Sequence, residues 1–356
     1  MRTYLDHNAT SPLRREAKAA MLAALEAGGN ASSIHFEGRS ARKFVDDARE
    51  TIARAVGAIA PMVIFTSGGT EANNLAIKGA GAERFLLSAI EHPSVIEAAR
   101  ATGKPVDFIP ADLSGTIIPE SLPSLLKRGP NTLVSVMLAN NETGVIQPVR
   151  EIANIAHDAG ALLHVDAVQG LGKIGVNFAL LGADMMTFTA HKLGGPVGAG
   201  ALIVRDGLVL EPLMHGGGQE LRRRAGTENI AAIAGFAATV EKGFAVKELR
   251  DRLESNLEGA VIVGAGAERL PNTACFYVPG IKAETLVMNF DLEGIAISSG
   301  SACSSGKVSK SHVLAAMGID ETAIRVSLGW NSTEEDVNRF LAAHRKIMAR
   351  LSRRAA

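Results

Sequence analysis

The chain has 356 residues, 47% of them hydrophobic and 21% charged, with Lys+Arg and Asp+Glu balanced at 37 each. That length is too great for one small core and predicts two domains. The balanced charge gives no electrostatic case for nucleic acid or membrane as a partner, and two Tyr with one Trp do not suit a base-stacking surface. Two cysteines cannot form a disulfide framework. No apolar run approaches the roughly 18 residues of a bilayer span, and the opening "MRTYLDHNATSP" lacks a signal-peptide core. A reducing cytoplasm is the expected location.

In chain order, short apolar runs at 62–67, 84–89, 132–139, 161–167, 184–190 and 200–205 predict buried strands. Helix-like stretches at 71–80, 92–102, 148–159 and 170–181 lie between several of them. Strand, helix and strand at this spacing predict a mostly parallel, doubly wound α/β sheet. The link between 184–190 and 200–205 is too short for a crossover helix, which predicts an antiparallel edge there. A charged helical stretch at 240–258 opens what reads as a second, smaller α+β domain. It continues with strands at 273–278 and 295–299 and helices at 309–317 and 333–351. The expected division is 13–247 for the larger domain and 248–356 for the smaller, with 1–12 packing on the latter.

Three stretches offer chemistry. In "FTSGGTEANN" (65–74) a strand runs through Ser-Gly-Gly-Thr into a helix start, where free N–H groups and the helix dipole suit a phosphate. A plain glycine turn capped by Thr70 explains it equally well, and no Gly-Lys-Ser/Thr follows, so it is not a nucleotide P-loop. In "HVDAVQG" (164–170) Asp166 ends an apolar run, where open α/β sheets place their ligands; a helix N-cap is the bland alternative. In "TFTAHKLGGPVGAG" (187–200) Lys192 ends another strand, and desolvation there would leave a nucleophilic amine. An exposed turn lysine is the competing view. Together, a phosphate cradle, a strand-end Asp and a strand-end Lys are the parts that hold pyridoxal phosphate.

With "YLDHNATSP" (4–12), "NASSIHFEGRSAR" (30–42), "EHPSV" (91–95), "ANNETGVIQP" (139–148), "GGGQELRRRAGTEN" (216–229), "ISSGSACSSG" (297–306), "SHVLAAMG" (311–318) and "IRVSLG" (324–329) in the same order, the chain resembles the cysteine desulfurases of the NifS/IscS type. These are class V aminotransferase-like, fold type I PLP-dependent enzymes, and the resemblance runs from about 4 to about 345. It implies a large domain with a mostly parallel, seven-stranded-type sheet, and it implies roles. Lys192 is similar to the lysine that forms the imine with pyridoxal 5'-phosphate, Asp166 to the partner of the pyridine nitrogen, and Gln169 to the donor on the phenolic oxygen. His92 matches the imidazole that stacks on the ring and moves protons. Gly69, Thr70, Thr189 and His191 match phosphate-binding positions. Thr227 matches a residue that reaches the phosphate of the neighbouring subunit, which implies a homodimer with shared sites. Asn141 matches a position near cofactor and substrate, and Arg325 the arginine that forks onto the substrate α-carboxylate. Cys303 falls on the nucleophile.

The implied reaction converts L-cysteine to L-alanine, with sulfur held as a persulfide on Cys303 for iron–sulfur clusters or thio-cofactors. A sulfur-acceptor or scaffold protein is the expected partner. No intrinsic metal site is expected, although Cys303 could transiently ligate an iron–sulfur cluster. Selenocysteine lyase, another β-lyase or an aminotransferase of the same fold is the alternative, and a catalytically idle member acting as an assembly partner is a third. The chain departs from the family pattern at Ser11, in the apolar text before residue 65, around 243–247, and at Trp330, where a basic residue is common. Cys275 alternates with apolar residues and reads as a buried structural thiol. The histidines at 7, 35, 157, 164, 215 and 312 carry no assigned catalytic role, and the Arg222–Arg224 run reads as a contact or a solvated charge run.

Overall fold

Apolar side chains alternate along the central strands, and that alternation covers both faces of one sheet. Phe65, Leu86, Val134, Met186 and Ile203 point into one core with the helices Phe36–Ala55 and Val149–Asp158. Their neighbours Ile64, Leu87, Leu133, Met185 and Leu202 point into another with Gly69–Gly79 and Pro93–Arg100. A period of two per strand and burial on both sides is what a doubly wound sheet requires. The computed structural model describes residues 2–129, 131–300 and 310–355, so Cys303 lies outside the described residues. Among those described, no helix is long and apolar enough to cross a membrane.

The sheet has seven strands in the spatial order Val63–Thr66, Gly200–Val204, Met185–Thr189, Leu162–Asp166, Thr132–Ser135, Arg84–Ser88 and Val106–Ile109. Only Gly200–Val204 runs against the rest. The expected antiparallel pair is present, with Phe188 opposite Ala201, but it is not an edge. Val63–Thr66 closes the far side of Gly200–Val204, so the last strand of the sheet inserts beside the first. Val106–Ile109 escapes sequence detection because it is the opposite edge strand and only Ile109 is fully buried.

The stretch 170–181 is helical only over Phe178–Leu181, capped by Asn177 Oδ1 accepting from Leu180 N at 2.9 Å. Before it, Gly172 adopts φ +75°, a left-handed turn that an α-helix cannot carry. The charged stretch 240–258 likewise yields a helix only at Lys247–Ser255. The expected strand 295–299 divides in two. Ile295–Ala296 pairs in parallel with Thr3–Tyr4, and Ser298–Ser299 pairs antiparallel with Ile324–Ser327.

A separate core gathers Leu5 with side chains between Phe244 and Ile347. Phe290 stacks on Phe340 at 4.7 Å, and Phe276 meets Phe340 edge-on at 6.4 Å. Cys275, in the strand Thr273–Tyr277, is fully buried and its thiol is pushed up by burial, as suits an inert structural cysteine.

One turn is strained. Glu220, Leu221 and Arg222 take φ of 49°, 55° and 65° in succession, a run that non-glycine residues adopt at a cost. The buried Glu220 carboxylate holds it, accepting from Arg49 Nη2 and Nη1 at 2.7 and 2.8 Å and from Phe65 N at 2.9 Å. Arg49 also lies over the Phe65 ring at 4.8 Å. Removing one partner of such a pair leaves a buried charge, so Glu220→Ala should lower the unfolding free energy by roughly 3–5 kcal/mol in urea titration. A loss below about 1 kcal/mol, the worth of an exposed pair, would show that the turn does not depend on this anchor.

Candidate active site

The strands Val63–Thr66, Arg84–Ser88, Thr132–Ser135, Leu162–Asp166 and Met185–Thr189 point the same way, so their carboxyl ends open onto one side of the sheet. That side is where open α/β sheets bind ligands. A cavity of about 310 Å³ lies there, and every sequence-predicted site residue except Thr227 and Cys303 lines it. Thr227 is exposed on the segment that follows the strained turn.

After Val63–Thr66 the chain turns through Gly68 at φ +156°, ψ −179°, a conformation essentially reserved for glycine. A side chain on the facing Gly200 would meet the Gly68 backbone at 2.6 Å, so Gly200 is needed for the close approach and Gly68 for its dihedral angles. The helix Gly69–Gly79 starts at once, and no side chain caps its N-terminus. The first-turn N–H groups of Gly69 and Thr70 therefore face the cavity with the positive end of the helix dipole. Thr189 donates to Ala199 O at 3.2 Å, and His191 Nδ1 lies 3.2 Å from Thr10 Oγ1. Burial, then the charges of Lys192 and Lys173, push the His191 pKa down to about 4, so the ring is neutral at pH 7.

Asp166 ends its strand with both carboxylate oxygens occupied from the protein side. Oδ1 accepts from Val168 N at 3.0 Å and Oδ2 from Asn73 Nδ2 at 2.8 Å. Asn73 also donates to Ser94 Oγ at 2.9 Å, and Ser94 Oγ lies 2.7 Å from His92 Nδ1. His92 caps the helix Pro93–Arg100 by accepting Ser94 N at 3.1 Å on the same Nδ1. An accepting Nδ1 leaves the proton on Nε2, which fixes the tautomer. Burial, only partly offset by Asp166, lowers the His92 pKa.

Lys192 lies in a 3₁₀ turn, Ala190–Lys192, directly after Met185–Thr189. Its Nζ donates to Asn8 O at 2.6 Å and Ala9 O at 2.7 Å. Gln169 Nε2 donates to the same Asn8 carbonyl at 3.1 Å. Arg325 is buried, with Nη1 on Asn141 O at 3.0 Å and Nη2 on Asp6 Oδ1 at 2.8 Å. Its Nε is buried without a hydrogen-bond partner among the described residues.

Sequence reasoning gave no role to Asn8, Asn73, Ser94 or Lys173. Asn8, Asn73 and Ser94 stand inside the quoted motifs, yet only the fold shows that the Asn73 amide and Ser94 hydroxyl link Asp166 to His92 and that the Asn8 main-chain carbonyl braces Lys192. Trp330 does not line the cavity. Its Nε1 donates to Pro12 O at 3.1 Å and Arg14 lies over its ring at 5.0 Å. Of the arginine run, Arg223 donates to Pro61 O at 2.8 Å and Arg224 pairs with Glu71 at 2.8 Å, so these two are structural ties.

The residues fit pyridoxal phosphate on chemical grounds. An amine, a carboxylate held by two donors and an uncapped helix start face one cavity, the set that an aldehyde, a pyridine nitrogen and a phosphate require.

Comparison with known proteins agrees with this geometry. The chain is 40% identical over 374 residues to "Cysteine desulfurase IscS" of Dictyoglomus turgidum, covering 98% of this chain and 95% of that protein. It is 39% identical over 384 residues to "IscS-like cysteine desulfurase" of Mycobacterium tuberculosis, covering 99% and 98%. Among solved structures, the NifS-like protein from Rickettsia africae superposes with a TM-score of 0.90 at 34% identity, covering 98% of this chain and all of that one. The aminotransferase class-V family model, which describes enzymes that in general depend on pyridoxal phosphate, matches residues 3–340. The chain belongs to the aminotransferase class-V family.

Proposed function

We propose that the chain is a pyridoxal-phosphate-dependent cysteine desulfurase, converting L-cysteine to L-alanine with transfer of sulfur to Cys303. The observation that carries this reading is the convergence of Lys192, Asp166 and Arg325 on one cavity in a chain about 40% identical to cysteine desulfurases. When bound, pyridoxal phosphate supplies an electron sink for the bonds at the substrate α-carbon. The protein's part is to hold, orient and move protons.

The N–H groups of Gly69 and Thr70, with Thr189 and His191, hold the phosphate; Thr227 adds a hydroxyl from the neighbouring subunit. Asp166 Oδ2 and Oδ1 keep a negative charge at the pyridine nitrogen, and Gln169 Nε2 donates to the phenolic oxygen. His92, which lines the cavity, would lie against the ring and relay a proton at Nε2. Lys192 Nζ holds the cofactor covalently and exchanges protons with the substrate. Arg325 takes the α-carboxylate, and Asn141, whose carbonyl fixes Arg325 Nη1, lies beside the substrate. The Cys303 thiolate then attacks the substrate sulfur. The Cβ–S bond breaks, its electron pair stays with carbon, carbon takes a proton, and the products are alanine and a Cys303 persulfide.

A homodimer with shared sites belongs to the same proposal. Ile34, Phe36 and Leu221 are large apolar side chains left exposed, on segments that approach each other where Gln219 Nε2 lies 3.5 Å from Ser32 Oγ. Exposed apolar residues in such number suit an interface. The division at 247/248, with 1–12 on the smaller unit, draws support from the separate core around Leu5 and Phe276, which also takes in Phe244 and Val246 just before that boundary. The cytoplasm, and a sulfur-acceptor or scaffold protein for iron–sulfur or thio-cofactor synthesis, complete the reading.

The test is an L-cysteine assay on the purified protein supplied with pyridoxal phosphate. Alanine and sulfane sulfur should form in equal amounts. Cys303→Ala should keep the cofactor absorbance and lose both products. Undiminished desulfuration in that variant would sink the mechanism.

A further inference from the structure

Lys173 is a buried lysine that the proposed reaction does not use. Its Nζ donates to Gln169 Oε1 at 2.5 Å and to Asn8 Oδ1 at 2.9 Å. No carboxylate pairs with it among the described salt bridges, and the formal charges that act on it, Lys192 and Arg325, are both positive. His7 and His191 also feel its charge, which lowers their proton affinity. An apolar side chain would fill such a place without the cost of burying an amine. The lysine needs a reason to be there.

The reason lies in donor arithmetic. Burial, then the charges of Lys192 and Arg325, hold the Lys173 pKa well down, yet charged or neutral its amine donates to both Gln169 Oε1 and Asn8 Oδ1, so the oxygen is the part of the carboxamide that faces it. With Oε1 turned to Lys173, the Gln169 nitrogen must face the other way. There one Nε2 hydrogen goes to Asn8 O, and the other is left for the cavity that Gln169 lines. The lysine also grips the Asn8 side chain, whose Oδ1 further accepts from Asn272 Nδ2 at 3.1 Å. The Asn8 carbonyl in turn takes Lys192 Nζ. Lys173 therefore sets both the amide that faces the cavity and the carbonyl on which Lys192 rests.

We propose that Lys173 is a positioning residue that locks the Gln169 carboxamide with its nitrogen toward the cavity, so that Nε2 can donate to the phenolic oxygen of bound pyridoxal phosphate. Without it the amide is free to flip. The flipped amide sets an oxygen against an oxygen, which weakens cofactor binding and shifts the ionisation of the bound cofactor. The inference rests on the proposed role of Gln169, and the experiment separates the two.

The probe is pyridoxal phosphate itself, titrated into the cofactor-free protein, with no substrate present. The readouts are its dissociation constant and the pH midpoint of the bound cofactor's absorbance change. Lys173→Met keeps the bulk and removes the donors. It should weaken binding by about 10-fold, the scale of one hydrogen bond to a charged group, and move the midpoint in the same direction as Gln169→Leu. The double variant should be no worse than Gln169→Leu alone, as expected for residues acting through one another. Wild-type behaviour of Lys173→Met beside an altered Gln169→Leu would overturn the Lys173 inference and leave Gln169 in place. Wild-type behaviour of Gln169→Leu would overturn the Gln169 reading, and this inference with it.

Should Lys173→Met not fold, Gln169→Glu carries the test. A carboxylate at 169 should pair with Lys173, keep or raise the thermal midpoint, and bind the cofactor more weakly than Gln169→Leu because it offers only acceptors. A large drop in thermal midpoint would show that Lys173 does not engage position 169.

Discussion

Replacing Lys192 by alanine is expected to reduce alanine formation from L-cysteine by at least about 10³-fold, within the range that loss of a positioned acid–base group costs. The effect exceeds that of any other single substitution in the cavity, because the residue has two tasks. In the proposed reaction its amine would hold the cofactor covalently and would then move protons at the substrate. The local geometry prepares it for both. Lys192 Nζ rests on the carbonyls of Asn8 and Ala9 at 2.6 and 2.7 Å, which hold the amine at the cavity wall. The fold should survive, since Gln169 Nε2 still serves the Asn8 carbonyl. The check is alanine release together with circular dichroism. A folded Lys192→Ala protein that retains more than a tenth of the activity would remove Lys192 from the reaction. Cofactor absorbance adds an independent sign, because the variant should lose the band of the lysine-bound form and release the cofactor on dialysis.

The parts of this site that sequence reasoning found are those that strand ends create. Asp166 and Lys192 follow apolar runs, and Gly68–Gly69 interrupts one, so the sheet fixes their positions once its strands run parallel. What sequence could not show is the second set of polar groups that arrange the first. Asn73 lies five residues past Gly68, unremarkable in text, yet one turn of helix brings its amide onto Asp166. Asn8 is 161 residues from Gln169 and 184 from Lys192, and only the return of the N-terminal segment to the cavity joins them. The stretch 170–181 reads as a helix because its apolar spacing permits one, but the left-handed Gly172 breaks it. Lys173, the residue after that break, is buried. The fold class was legible from periodicity, whereas the strand order required knowing that Gly200–Val204 inserts beside Val63–Thr66. The proposal of Cys303 as nucleophile rests on the motif alone.

The largest expected effect on stability concerns Glu91, next in sequence to His92. Its side chain is fully buried. Oε1 accepts from Ser88 Oγ at 2.5 Å and Met137 N at 2.6 Å, while Oε2 has no hydrogen-bond partner among the described residues. Burial, reinforced by the nearby Asp166 and opposed by those two bonds, pushes its pKa up to about 8 from the ordinary 4.5. A raised folded pKa means that the native state keeps a proton which the unfolded chain gives up. Its contribution to stability is therefore complete below pH 4.5, falls as the pH rises, and is lost above about 8. At about 1.4 kcal/mol per pH unit, that interval amounts to on the order of 5 kcal/mol. Glu91→Gln keeps the shape and the acceptor for Ser88 and Met137 but cannot ionise. The stability difference between variant and parent should therefore move in favour of the variant by that amount between pH 4.5 and pH 9, read from urea unfolding. Parallel pH profiles would show that Glu91 titrates alike in the folded and unfolded chains. The protonated state also bears on the site. Asp166 is the only carboxylate among the described residues that line the cavity. A protonated Glu91 leaves Asp166 as the carboxylate that faces the place where the pyridine nitrogen of the proposed cofactor would lie.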